Sequence, residues 1–182
     1  MFPSTRVLEV LPFVVFFWMI VGAMRVFSRT AGDMRNARGL GVGLSIWGPL
    51  ASIQLATQPP HWVSAIGLAG LALSFGLFNW AAVSIKGRTF SLAGHDDLPQ
   101  FVHASGPYAY IRNPFYASYI LAGISTIVMW PSVWGAVVVS LAIVYYAWLA
   151  RYEEAKFERS PVAGDYAKYK ARTGRLFPRL VR

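Results

Sequence analysis

The sequence predicts an all-α fold: a polytopic membrane helical bundle of about five transmembrane helices with a cytoplasmic C-terminal helical tail. Three observations carry this. Hydrophobic residues make up 55% of the 182 positions and charged residues only 14%, far from the balance of a water-soluble domain. Several apolar stretches approach or exceed the roughly 20 residues that a helix needs to cross a hydrocarbon core about 30 Å thick. Basic residues gather on one side of those stretches, as they do in cytoplasmic loops.

The first expected span covers residues 7–27 and leads into the basic loop SRTAGDMRNARG. No basic region precedes its apolar run and no small-residue cleavage site follows, so it reads as a retained span and not a signal peptide. A second begins near Leu40, continues through GVGLSIWGPLASIQLA and stops at the turn TQPPH, where two prolines break the helix. The third, residues 62–85, is rich in the small residues that let membrane helices approach closely. Residues 115–150 are almost uninterruptedly apolar, and one helix of that length would measure about 54 Å, well beyond a bilayer. The stretch must therefore fold back. The break falls at MWPSVW, where Pro131 and Ser132 can start a new helix, giving a hairpin of spans four and five. The tail from Arg151 onward reads as amphipathic and soluble.

Charge placement tests the layout independently. Arg25, Arg29, Arg35, Arg38, Lys86, Arg88, Arg112 and every basic residue from Arg151 onward fall on one side, leaving Arg6 opposite. The N-terminus is then outside and the C-terminus cytoplasmic, in the plasma (inner) membrane if the source is bacterial. Residues 1–182 form one membrane domain, with three spans in residues 1–85 and a chemistry-bearing core in residues 86–178.

Composition also excludes chemistries. The chain has no cysteine, so disulfides, thiolate metal sites and cysteine nucleophiles are absent. Three scattered histidines do not make a metal site. The net charge of +9 is read as topology and contact with anionic lipid headgroups, not as nucleic-acid binding.

The dense polar sequence of the cytoplasmic face lies in residues 86–116 and 151–178, and these bracket the hairpin. A hairpin starts and ends at one membrane face, so the two segments meet there. Glu153 and Glu154 lie at the membrane end of a hydrophobic helix, where ionisable groups are paired, hydrated or functional. Neighbours diverge by about 100° on a helix, so one faces inward while the other faces water or a basic partner. They read equally as a cap or salt bridge to Arg112 or Arg151, and Arg112 equally as a snorkelling residue that ends a span. His95 and His103 read as loop residues, and Tyr166 and Tyr169 as a helical packing face. Asn79 and Gln54 read as packing hydrogen bonders. Glu9 is given no chemistry.

Motif order decides between these readings. The chain runs KGRTFS, GPYAYIRNPFYASY, the hairpin, EEAKF and GDYAKYKARTGRLFP. This resembles the isoprenylcysteine carboxyl methyltransferase and phospholipid methyltransferase family, whose pieces are G-R-[ST]-[FW], G-x-Y-x-x-x-R-H-P-x-Y, E-E-x-x-[LF] and G-x-x-Y-x-x-Y before a proline. The resemblance covers residues 86–178 and implies an S-adenosylmethionine pocket facing the cytoplasm. His103, Gly106, Tyr108, Arg112, Asn113, Pro114, Tyr116, Glu153, Glu154, Tyr166 and Tyr169 are the cofactor-binding candidates it implies. Arg112, Glu153 and Glu154 are the catalytic ones. Asn113 stands where the family carries histidine, and an amide cannot act as a general base near neutral pH. The implied acceptor is a lipophilic small molecule or lipid bearing a carboxylate, amine or thiol, drawn from the surrounding membrane lipids. Two other readings stay open: an NADPH-dependent sterol or isoprenoid reductase, and a non-catalytic binding protein of the same fold.

Overall fold

The computed structural model describes residues 5–27, 48–49, 60–85 and 98–179. Five α-helices occur among them, joined by one short 3-10 turn: α1 (Thr5–Phe27), α2 (His61–Ser84), the 3-10 turn Gly106–Ala109, α3 (Pro114–Met129), α4 (Val133–Glu158) and α5 (Ala163–Arg172). No strand is formed among the described residues beyond an isolated parallel bridge between Ile111 and Gly174. The expected second span and the KGRTFS motif lie outside the described residues, apart from Gly48 and Pro49.

The helix boundaries follow local chemistry. Pro114 opens α3 at the position where a missing N–H costs nothing. Ser132 caps α4 by accepting from the Gly135 N–H at 3.3 Å. The reversal between Met129 and Val133 is thus where the MWPSVW break is expected. One boundary differs: the hairpin's second helix does not end at Ala150 but runs on to Glu158. Nothing in RYEEAKFE breaks a helix, and its 26 residues give a rod of about 39 Å that projects past a hydrocarbon core of about 30 Å.

By length and composition, Trp62–Ser84 and Val133–Glu158 are the two described helices able to cross a membrane; the apolar parts of α1 and α3, Val10–Ala23 and Pro114–Met129, are shorter. Their outward faces support a lipid setting. Trp62, Ile66, Leu73 and Val83 on α2, and Val133, Trp134, Leu141 and Val144 on α4, are large, apolar and exposed. Monomeric soluble proteins rarely expose so many large apolar side chains together.

The core lies where α1, α2 and α3 meet, around Met19, Leu71, Phe78, Phe115, Ala122 and Met129. In hydrocarbon the hydrophobic drive between helices fades, leaving close packing and interhelical hydrogen bonds to hold them together. Both are present. Gly67 and Gly70 of α2 back onto Ser125 and Met129 of α3. The Ser74 hydroxyl donates to the Ser118 carbonyl at 2.7 Å. Asn79 accepts from Trp18 Nε1 at 3.2 Å and donates to the Phe75 carbonyl at 2.8 Å, the packing role expected of it. Gln54 and the Glu9 side chain lie outside the described residues.

Candidate functional site

After the 3-10 turn, the chain reaches the mouth of the α3–α4 hairpin, where the polar residues of three segments converge. Gly106 makes the entry possible. Its φ of 61° favours glycine, and an added Cβ would stand 2.7 Å from Ser84 Cβ at the end of α2. His103, also buried, shares a 3.2 Å hydrogen bond with the Ser105 hydroxyl and meets the Tyr108 ring edge-on at 4.9 Å.

The centre of the site is a carboxylate between two guanidiniums. Glu154 Oε1 accepts from Arg112 Nε at 2.9 Å and from Arg175 Nε at 3.0 Å, while its Oε2 accepts from Arg175 Nη2 at 2.9 Å. The salt bridge between Glu154 and Arg112, one of the two readings left open by the sequence, is therefore formed. Arg112 does more than pair: its Nη1 also donates to the carbonyls of Lys170 and Thr173, tying α3's entrance to the end of α5. Glu153, one position earlier and half-buried, accepts from the Tyr116 hydroxyl at 2.6 Å. Adjacent carboxylates thus serve different partners, as their angular separation on a helix requires.

Residues 173–178 form a strap across this mouth. Arg112 N donates to the Gly174 carbonyl at 2.8 Å, Gly174 N to the Tyr110 carbonyl at 3.1 Å and Asn113 N to the Arg175 carbonyl at 3.1 Å. Asn113 Nδ2 reaches that same Arg175 carbonyl at 3.2 Å. Leu176 packs beside Ile120, Ala142 and Tyr146 between α3 and α4. The tail therefore does not stand free in water; it closes the hairpin's open end.

Aromatic rings surround the carboxylates. Tyr116 and Tyr146 are stacked with centroids 5.3 Å apart, and Tyr166 stacks on Phe157 at 4.6 Å. The Tyr169 hydroxyl donates to the Tyr108 carbonyl at 2.7 Å. Burial pushes the hydroxyls of Tyr108, Tyr166 and Tyr169 well above the ordinary tyrosine value, and at Tyr108 the Glu153 charge adds to it. All three are therefore neutral donors at physiological pH and not bases.

Of the residues singled out by sequence, Tyr108, Arg112, Asn113, Pro114, Tyr116, Glu153, Glu154, Tyr166 and Tyr169 are brought to the hairpin mouth. His103 and Gly106 sit at its α2 side. Sequence reasoning missed Arg175. Its one signal was a basic residue inside the GRLFP run, where a topology-reporting arginine looks the same.

The fold and this buried ion cluster at the mouth of an apolar hairpin define a helical membrane protein with an enzyme-like polar site at one end. Residues 62–160, more than half of the chain, match the family model described as phospholipid methyltransferase, and the chain belongs to that family. It is a membrane methyltransferase by membership. The match spans the 106–116 motif and the glutamate pair and stops before α5 and the strap. No curated protein matches the chain.

Proposed function

We propose that the protein transfers a methyl group from S-adenosylmethionine to a lipophilic acceptor at the cytoplasmic face of the membrane, within a bundle of about five spans. The observation that carries this reading is the convergence of the 106–116 motif, the Glu153–Glu154 pair and the 173–178 strap at one apolar hairpin mouth.

The donor set fits S-adenosylmethionine. Where the acceptor needs no base, the half-buried Glu153 carboxylate suits the ammonium of the cofactor's amino-acid end. The cationic Glu154 cluster, one carboxylate between two guanidiniums, suits the carboxylate of that end. The Tyr116 and Tyr146 faces suit the sulfonium, an attraction of roughly 0.5 to 2 kcal/mol. When bound, this cofactor supplies an electrophilic methyl carbon.

The chain's own residues then have three tasks. Arg112 and Glu154 fix the wall of the site, because their nearly inaccessible side chains pair with each other and with Arg175 and two carbonyls. The strap and Leu176 exclude water from the hairpin mouth. Glu153 accepts the proton of an amine acceptor as that acceptor is aligned at about 3 to 3.5 Å, whereas a carboxylate acceptor attacks as the anion and needs no base. Asn113 takes no part in proton transfer, since its amide is engaged with the Arg175 carbonyl.

The test is to reconstitute the purified protein in vesicles of natural phospholipids supplemented with a prenylated cysteine. Methyl-labelled S-adenosylmethionine is added and label is counted in the extracted lipid. The proposal expects enzyme-dependent labelling of one acceptor class. Label remaining wholly in the aqueous phase with every acceptor would refute it.

A further inference from the structure

The two arginines on Glu154 are not equivalent. The Arg112 side chain is 9% exposed and the Glu154 side chain 5%, but that of Arg175 is 33% exposed. Arg112 spends its Nε on Glu154 and its Nη1 on the carbonyls of Lys170 and Thr173. Those two nitrogens face the protein and hold helix ends together. Arg175 grips Glu154 sideways through Nε and Nη2, and its Nη1 has no acceptor among the described residues. A guanidinium has five donors in a fixed fork, so this leaves one edge directed away from the carboxylate.

Charge points the same way. One carboxylate between two guanidiniums leaves the Glu154 cluster with an excess positive charge. The nearby cation Lys170 is paired with Glu158 at 2.6 Å. Of the two guanidiniums, Arg175 is the one open to an incoming anion. That member rides on the strap, beside Leu176, which itself enters the apolar cleft of Ile120, Ala142 and Tyr146. An anionic group meeting Arg175 would thus sit at the exposed side of the strap, over the hairpin mouth.

We propose that Arg175 is the anion-contacting residue of this site: its outward guanidinium edge binds a carboxylate or phosphate oxygen of the ligand, while Arg112 holds the Glu154 wall that aims it. Two ligands of the proposed reaction carry such a group, the amino-acid carboxylate of the methyl donor and the phosphate of a lipid acceptor. The inference deepens the methyl-transfer reading and rests on it for the identity of the ligand, whereas the anion contact at Arg175 is tested by binding alone.

The test compares the full-length wild-type protein with Arg175→Gln and Arg175→Lys in detergent, by calorimetric titration against two matched pairs of ligands. S-adenosylhomocysteine is paired with methylthioadenosine, which keeps the nucleoside and lacks the carboxylate. Dihexanoyl phosphatidic acid is paired with dihexanoylglycerol, which lacks the phosphate. The expected result is that Arg175→Gln weakens binding of one anionic ligand by about tenfold or more and leaves its uncharged counterpart unchanged. Arg175→Lys, which keeps the charge without the fork, loses less. A loss confined to S-adenosylhomocysteine assigns the carboxylate, and one confined to phosphatidic acid assigns the phosphate. Wild-type affinity of both variants for both anionic ligands overturns the proposal, as does an equal loss for charged and uncharged partners. If Arg175→Gln lacks a cooperative thermal transition, Arg175→Lys carries the comparison. Failure of the wild-type protein to bind either adenosyl ligand defeats the donor reading alone and leaves the phosphate pair to decide Arg175. Failure to bind either anion overturns both.

Discussion

The Tyr116 hydroxyl donates to Glu153 Oε1 across the hairpin mouth at 2.6 Å, joining the first turn of α3 to the projecting end of α4. The neighbouring Glu154 instead points into Arg112 and Arg175. The two adjacent carboxylates thus serve different partners, and they should respond differently to the same substitution.

Glu153→Gln is expected to fold, because its amide oxygen still accepts from Tyr116, and to lower kcat by about 100-fold or more if the acceptor is an amine. Thermal unfolding together with a methyl-transfer assay checks both halves. Unchanged kcat with an amine acceptor would remove Glu153 as the base.

Glu154→Gln should instead act on stability. Two guanidiniums would then face each other in a mostly buried place, a loss of about 3 kcal/mol or more. Arg112→Lys should be nearly as damaging, since an ammonium cannot reach Glu154 and two carbonyls from one planar fork. Detergent-solubilised thermal melts would show the drop, and midpoints within a degree or so of wild type would contradict it.

Asn113→Ala removes one hydrogen bond to the Arg175 carbonyl while the backbone bond beside it remains. The expected cost is about 1 kcal/mol, with little change in kcat. A collapse of kcat without loss of stability would give Asn113 the catalytic role denied to it here.

Gly106→Ala should be severe for its size. The residue sits at a φ of 61° with Ser84 Cβ 2.7 Å from the new methyl, so strain and a clash add to about 2 kcal/mol or more. Pairing it with Ser84→Gly tests the clash separately, and the double variant should recover part of the loss.

Alkaline sensitivity follows from the tyrosines. Burial raises the hydroxyls of Tyr108, Tyr166 and Tyr169 above their ordinary value of 10.0. Above that value the unfolded chain has given up protons that the folded one retains, so stability is fully present below it and falls as pH rises past it. Thermal midpoints measured between about pH 8 and about pH 11 should decline at the alkaline end. Tyr166→Phe should flatten that decline, and an equally steep fall in the variant would contradict the assignment.

Much of this was legible in the sequence. The hairpin turn at Pro131 and Ser132, the helix of residues 62–85 and the packing role of Asn79 follow from proline chemistry, apolar length and small-residue content. So did the meeting of residues 106–116 with Glu153 and Glu154, because a hairpin returns to the face it left. Two features were not legible. The reach of α4 to Glu158 was one, because the apolar bound at Ala150 marks where polarity changes and not where helix propensity does. Arg175 was overlooked because pairing with Glu154 is a long-range contact, and a terminal arginine in a basic tail carries no local mark of it.

The most direct test of the methyltransferase reading is calorimetric titration of the wild-type protein with S-adenosylhomocysteine, with NADPH titrated in parallel. Saturable binding of S-adenosylhomocysteine and none of NADPH is the expected result. Saturable NADPH binding with no response to the adenosyl ligand would contradict it and move the protein to reductase chemistry.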